Sequence, residues 1–251
     1  MKTYFNWSSG KDASLALEFL QNDNNIKVEK LITAANKIYK RVSMHGVRVE
    51  LAEKQSQAIG IPLEIIELPE NPTMEEYEKI FLSKLNRYKK DGFERCVFGD
   101  IFLKDLRAYR EKQLEKVGIK AIFPLWGKDT SELMREFIKS GFKAIVVCID
   151  ASKLDKSFLG REINESFIAD LPNNVDLCGE NGEFHTFCYD GPIFKYPVLF
   201  KKGEATFRKY EIKNNDPSLS EDKKSFGFWF LDLLPIPNIK NKKSPRQMPE
   251  G

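Results

Sequence analysis

Ser8, Ser9, Gly10, Lys11 and Asp12 fall between an apolar run, Thr3–Trp7, and a Leu/Ala-rich one that carries on from Asp12. A plain connector has no need of a lysine beside an aspartate. Small side chains leave backbone N–H groups open, and a helix start adds the positive end of a dipole. Lys11 can neutralise phosphate charge. Asp12 would repel phosphate unless a cation lay between them, which points to Mg2+ with Asp12 as a ligand. These residue types therefore suit a loop that holds nucleotide phosphates. The stretch is neither a Walker A loop, since the upstream Gly and the following Ser/Thr are missing, nor GxGxxG. The plain alternative is a Ser-capped helix start.

Such a loop needs a sheet to carry it. Strand-like runs at Thr3–Trp7, Val28–Ala35, Pro62–Leu68, Arg95–Phe98, Ala121–Leu125 and Ala144–Ile149 alternate with helical patterns. The helices are expected at Asp12–Gln21, Val47–Ile59, Thr73–Lys90, Lys104–Val117 and Thr130–Lys139. Thr73 and Glu76 have the spacing of a capping box. This alternation predicts an α/β fold: a Rossmann-like parallel sheet with helices on both faces. After Asp150 the rhythm changes. Asp155–Asp170 is helical in part, Leu171–Phe187 is loop-like, and Pro197–Phe200, Ala205–Tyr210 and Ser225–Leu233 read as strands. We expect a nucleotide-binding domain over 1–118, a smaller mixed α/β domain over 119–237, and a disordered Lys/Pro/Asn-rich tail over 238–251.

The bulk numbers exclude some classes. The 251 residues suffice for a sizeable core, and 41% hydrophobic with 31% charged is ordinary for a globular chain. A net charge of +3, from 40 basic and 37 acidic residues, is no footprint for general nucleic-acid binding. No apolar run approaches the roughly 20 residues of a membrane span. No signal-peptide layout opens the chain, so a cytoplasmic location is expected. Cys96, Cys148, Cys178 and Cys188 form no CxxC pair, and we expect reduced thiols without zinc or disulfides.

SSGKDAS, residues 8–14, resembles the SGGKDS pyrophosphate loop of the N-type ATP pyrophosphatases, the PP-loop superfamily. CGENGEFHTF, Cys178–Phe187, resembles the GExGEFHT motif of the diphthine–ammonia ligase family. FGDIFLKDLRAYRE (Phe98–Glu111) and FPLWGKDTSEL (Phe123–Leu133) are similar to the same family, to its bacterial-type branch above all. The resemblance runs from about Tyr4 to Pro197. It implies adenylation of a carboxylate, with ATP cleaved to AMP and pyrophosphate, followed by attack of ammonia. The implied cofactors are ATP and Mg2+, and the implied partner is a carboxylate-bearing acceptor, a small molecule or a modified protein side chain. A homo-oligomer is left open.

There are departures. Ser9 stands where the family has Gly. Ala13 replaces the family's last Ser, and Ser14 sits one place on, turned by about 100° along a helix. Asp105-Leu106 stands where diphthine-making members resemble one another in a Tyr-Gln pair, which favours another acceptor.

The roles then read as follows. Ser8, Ser9, Gly10 and Lys11 clamp the phosphates, with Ser14 nearby, and Lys11 and Asp12 serve catalysis. Glu180, Glu183 and His185 lie within six residues, flanked by Gly179 and Gly182. On a strand, Glu183 and His185 share a face, a carboxylate–imidazole set for proton transfer or for partnering Mg2+, and Glu180 and Glu183 are also expected at the substrate. A hydrogen-bonded turn with a structural His is the plain alternative. Asp100, after the fourth strand, points to the ligand edge of the sheet. Asn36, just after the second strand, is a candidate for the adenine or ribose edge. Asp105 and Arg107 are expected at the substrate, Arg107 on an anionic group, and Arg110 in a surface pair. His45 and Arg48 are weaker candidates for the nucleotide site, and Trp7 and Trp126 are expected in the core. Two rival readings remain: a relative with a different acceptor, and a non-catalytic ATP- or AMP-binding protein.

Overall fold

Along Lys2–Asn6 (β1) alternate residues face opposite ways, so Tyr4 joins one core cluster and Phe5 the other. The computed structural model describes residues 1–22, 26–211 and 225–236. The expected tail at 238–251, with Lys240, Lys242, Lys243 and Arg246, lies outside these. β1 pairs in parallel with Val28–Asn36 (β2) and with Phe93–Val97 (β5). Leu63–Leu68 (β4) lies parallel on the far side of β2, and Lys120–Ile122 (β6) parallel beyond β5. The sheet thus runs past Gly118, to Ile122. A short strand missed by sequence, Arg41–Val42 (β3), folds back antiparallel on Ala35 and Asn36.

The helices cover both faces. Lys11–Gln21 (α1) and Val49–Ile59 (α2) bury Leu15, Leu17, Leu51 and Ala52 in the larger core. Met74–Lys90 (α3) and Lys104–Glu115 (α4) close the other face over Tyr4, Ile32, Ile66 and Phe98. The capping box at Thr73 forms: Glu76 N donates to Thr73 Oγ1 at 3.2 Å, and Thr73 N to Glu76 Oε2 at 2.9 Å.

A second sheet, antiparallel, follows Thr130–Lys139 (α5). Its strands are Lys143–Asp150 (β7), Phe184–Asp190 (β8), Phe200–Glu211 (β9) and Ser225–Pro235 (β10), in the order β8-β7-β10-β9. A short helix, Glu165–Asp170 (α6), lies between β7 and β8. The AIVVCI run sits inside this sheet between β8 and β10. A strand buried on both faces reads the same from sequence in either kind of sheet. The run expected at Ala205–Tyr210 extends back to Phe200 as one strand paired with β10 across an irregularity between Leu231 and Leu233, and the rest of the run expected at Pro197–Phe200 lies before it.

The two sheets share the larger core, in which Val147 and Phe187 join the α1 and α2 residues. They are also joined by polar contacts. Gln55 of α2 is fully buried; its amide donates to Ser9 O at 3.0 Å and to Cys188 O at 2.5 Å, and its oxygen accepts from Trp7 Nε1 at 2.9 Å. All four cysteines are buried. Among the described residues no helix is long and apolar enough to cross a membrane.

Candidate functional site

β1 ends at Asn6, and the chain turns through Ser8 and Ser9 into α1. The turn needs a left-handed residue, and Ser9 takes it at φ 72°. Ser9 is buried with its hydroxyl unpartnered, while its carbonyl accepts from Cys188 N at 2.9 Å. Gly10 is required by close approach: a Cβ there would lie 2.8 Å from His45 Cε1. Gly99 is required too, since its Cβ would meet the backbone of Asp12 and Ala13 at 3.0–3.1 Å. This contact sets the end of β5, and with it Asp100, against the start of α1.

The phosphate-type loop and the Cys178–Phe187 motif meet. Lys11 N donates to Thr186 Oγ1 at 3.0 Å. Lys11 Nζ, almost wholly buried, donates to Cys178 O at 2.5 Å and to both oxygens of Asp12 at 2.7 and 2.8 Å. Burial works against the ammonium, but Asp12, Cys178 and Glu180 together outweigh it and raise its pKa. Asp176 builds the loop behind this contact: its Oδ2 accepts from Cys178 N and Glu180 N, each at 3.0 Å.

A cavity of about 700 Å3 opens beyond the C-terminal edge of the first sheet and runs back over its face beneath α3 and α4. At the sheet edge it is lined by Ser8, Lys11, Asp12, Asp100, Glu180 and His185. The arm over the sheet face is lined by Tyr4, Ile32, Ile66, Tyr88 and Phe98. In that arm the hydroxyls of Tyr4 and Tyr88 are buried without a hydrogen-bond partner.

The electrostatics of the sheet edge favour proton exchange near neutrality. Burial pushes the Glu180 carboxyl up, and the nearby Asp12 and Asp100 add to this, to about 7. Its Oε1 accepts from Ile101 N at 2.8 Å, which opposes the shift. Asp100 is also raised, by burial first, although Arg110 pairs with it at 3.0 Å. Its Oδ2 is buried and unpartnered. His185 is pushed down to about 3 by burial, with His45 and Lys11 adding repulsion. It is a neutral imidazole at any ordinary pH.

Some residues singled out from sequence stand elsewhere. Ser14 turns its hydroxyl back to Gly10 O at 3.0 Å, as the one-place shift along the helix dictates. Asn36 caps a turn, its Oδ1 accepting from Ile38 N and Tyr39 N, and it does not line the cavity. Glu183 lies just before β8 and outside the cavity lining. Its Oε1 accepts from Asp176 N at 3.2 Å and Asn181 Nδ2 at 3.1 Å, so it braces the loop. Asp105 is exposed on α4. Arg107 pairs with Glu111 at 2.8 Å and lies over the Trp126 ring, outside the lining. Arg110, expected in a surface pair, lines the cavity instead, with Leu103 and Leu106 on the same face of α4. That spacing of three and four residues is the signal that separates it from Arg107. Asp176 was missed, although an Asp two residues before the turn at Cys178 is a local signal for such a loop. Gln55, Gly99 and the tyrosine hydroxyls gave no local signal.

Two family models match: Diphthamide synthase N-terminal domain over residues 1–121, and Diphthamide synthase C-terminal domain over residues 129–215. The chain is 31% identical over 134 residues to Diphthine--ammonia ligase of Mus musculus, covering 51% of this chain and 49% of that protein. It is 26% identical over 234 residues to Diphthine--ammonia ligase of Saccharomyces cerevisiae, covering 76% and 33%. It therefore spans about half the length of the first of these relatives. A solved structure, that of a predicted subunit of tRNA methyltransferase from Methanocaldococcus jannaschii DSM, aligns with a TM-score of 0.40 and 19% identity over 59% of this chain and 80% of that one. That likeness is too slight to weigh.

Proposed function

The chain belongs to the diphthamide synthase family, and from that premise we propose that it is an ATP-dependent ligase: it adenylates a carboxylate, releasing pyrophosphate, and lets ammonia displace AMP. One observation carries this reading. Lys11 of the phosphate-type loop bonds both to Cys178 O and, through its backbone, to Thr186 Oγ1, so the two motifs form adjoining walls of one cavity. A clamp for phosphates and a set of proton-handling groups thus face the same space.

The residues fit ATP. Ser8 and Lys11, which line the cavity, would present a small polar group and a cation to the triphosphate, while the buried Ser9 and Gly10 shape the turn behind them. The arm beneath α3 and α4 suits the base, a flat group with apolar faces and a polar edge that the free Tyr4 and Tyr88 hydroxyls can meet. They fit Mg2+ in part. No group of three His, Cys, Asp or Glu among the described residues could hold a metal by itself. Asp12 and the unpartnered Asp100 Oδ2 would hold the ion together with phosphate oxygens, as Mg2+ sites at nucleotides do. Bound there, the ion would offset phosphate charge. Hydroxide is a poor leaving group and AMP a good one, which is why the carboxylate must be activated first. Glu180 is the group that changes charge near neutrality and the best suited to take the amine's proton. His185, neutral throughout, is suited to accepting a hydrogen bond.

A different acceptor from diphthine is favoured by α4. Leu106 lines the cavity at a place where the resemblance implies a polar residue, and Asp105 points to solvent. The test is product analysis: purified protein with Mg-ATP, ammonium and a small-molecule extract of the source cell, beside an Asp12→Ala control. AMP with pyrophosphate, absent from the control, is the expected result. ATP binding without any Asp12-dependent AMP would shift the reading to a macromolecular acceptor missing from the extract or to a non-catalytic nucleotide-binding protein.

A further inference from the structure

The turn between β3 and α2 has no role in the reading so far, yet it is built tightly. Met44 and Gly46 are left-handed, at φ 64° and 69°, and so is Lys40 just before β3, at 52°. Gly46 N donates to Val42 O at 3.0 Å, and Val42 N to Val47 O at 2.8 Å. Arg41 and Arg48, on either side of the turn, both bind Asp232 of β10, at 2.6 and 2.7 Å. Phe230 packs over Gly46 so closely that a Cβ there would lie 2.8 Å from its ring. The turn is thus pinned to the second sheet, and it delivers the imidazole of His45 against Gly10.

The ring's tautomer follows from its contact. His45 Nδ1 lies 3.1 Å from Thr186 O. A carbonyl oxygen has no proton to give, so Nδ1 carries the hydrogen and donates it. Nε2 is then a bare lone pair. It makes no hydrogen bond to any described residue, and the ring lines the cavity. The His185 ring lies against it, tilted by 33° with the centroids 4.7 Å apart, which adds a second neutral imidazole. Burial lowers the His45 pKa and outweighs the hydrogen bond to Thr186 O and the nearby Asp12, which favour the charged ring; the Lys11 ammonium adds to the lowering.

We propose that His45 is a catalytic residue whose Nε2 accepts an N–H of the attacking ammonia and aims its lone pair at the activated carbonyl. This rests on the ligase reading. His45 lies beyond the strand ends beside the phosphate-type loop, whereas the arm suited to the base lies over the middle of the sheet, at Tyr4 and Ile66. It therefore faces the reacting end of the nucleotide. The other acceptors at the sheet edge are the carboxylates of Asp12, Asp100 and Glu180 and the imidazole of His185, whose tautomer no hydrogen bond to a described residue fixes. When ionised the carboxylates favour the ammonium ion, which has no lone pair for attack. A neutral imidazole nitrogen accepts an N–H without stabilising the added charge, and so holds the reactive form. In the step, a C–N bond forms and the C–O bond to AMP breaks, AMP leaving with the electron pair. One N–H proton passes to Glu180 while His45 keeps another N–H and stays neutral.

The chain contains two histidines, so 15N-histidine labelling of the whole protein gives the spectrum of two rings. His45→Phe, which keeps a stacked ring, identifies the signals, and His45→Gln supplies a second acceptor. The expected spectrum near pH 7.5 shows His45 neutral with the proton on Nδ1. Titration of the AMP-bound protein with ammonium chloride should shift the bare nitrogen saturably, and sodium chloride should not. ATP affinity should stay within about threefold in both variants, against a loss of tenfold or more for a residue that holds nucleotide by a buried hydrogen bond. A proton on Nε2, a charged ring, no ammonium response, or loss of ATP binding in both variants would overturn the assignment. Absence of AMP release by the unaltered protein, with protein as well as small-molecule acceptors supplied, would instead remove the ligase reading beneath it, whatever the rings do.

Discussion

The ammonium of Lys11, at the start of α1, donates to the main-chain carbonyl of Cys178, 2.5 Å away in the loop before β8. A single side chain thereby joins the first sheet's phosphate-type loop to the second sheet's motif. Lys11→Met keeps the apolar stem and removes the charge. AMP release should fall by about 100-fold or more, as when one preorganised donor is lost. ATP affinity should fall with it. Undiminished turnover in a calibrated AMP assay would show that Lys11 only ties the two loops together.

Ser9 holds a left-handed backbone at φ 72°, where a side chain costs about 1 kcal/mol or more, and its buried hydroxyl has no partner. Ser9→Gly removes both penalties at some cost in unfolded-chain entropy. Net stabilisation of about 1 kcal/mol is expected, seen as a thermal midpoint raised by about 2 °C. A lowered midpoint would mean that the serine is not strained.

Arg110 and Arg107 separate function from surface on one helix. Arg110 faces the cavity and balances the burial of Asp100, while Arg107 pairs with Glu111 outside it. Arg110→Ala should leave Asp100 protonated more readily and weaken Mg-ATP binding by about tenfold or more. Arg107→Ala should stay within about threefold, the cost of an exposed pair. Isothermal titration of both variants decides it, and the reverse order would return Arg107 to the site.

Glu180 titrates about 7 in the folded protein against an ordinary value near 4.5, because it is buried beside Asp12 and Asp100. The folded state then binds more protons than the unfolded one between these values, so stability falls as pH rises from about 4.5 to 7, by up to about 3 kcal/mol. Glu180→Gln removes that slope. It should be more stable than the unaltered protein above pH 7 and no more stable near pH 4.5, by urea denaturation at each pH. Turnover should be lost in this variant. In the unaltered protein, turnover should rise through pH 7 as the carboxylate appears.

Glu183→Gln offers the contrast. Its carboxylate braces the loop from Asp176 to Asn181 and does not line the cavity. Turnover within about threefold of normal is expected, since the amide oxygen can still accept both N–H groups. A loss comparable to that of Glu180→Gln would bring Glu183 back into the chemistry.

Much of this was legible in the chain itself. Strand–helix alternation gave the parallel sheet, because the apolar periods of 2 and 3.6 residues are set by backbone geometry alone. The capping box at Thr73, the loop at Ser8–Asp12 and the motif at Cys178–Phe187 are likewise local signals, written in neighbouring residues. The structure decided what depends on residues far apart. Glu180 and Glu183 are close in sequence, and only the direction of the loop puts one in the cavity and the other behind it. Arg107 and Arg110 differ by a rotation on α4 whose inner face is fixed by the sheet it packs on. His45 meets Gly10 and Thr186 across a turn that Asp232 of β10 pins through two arginines and Phe230 packs against at Gly46. Short-range sterics and periodicity fix which elements form. Burial, charge balance and the hydrogen-bonding state of each side chain arise from contacts between those elements, and the chemistry of the site resides there.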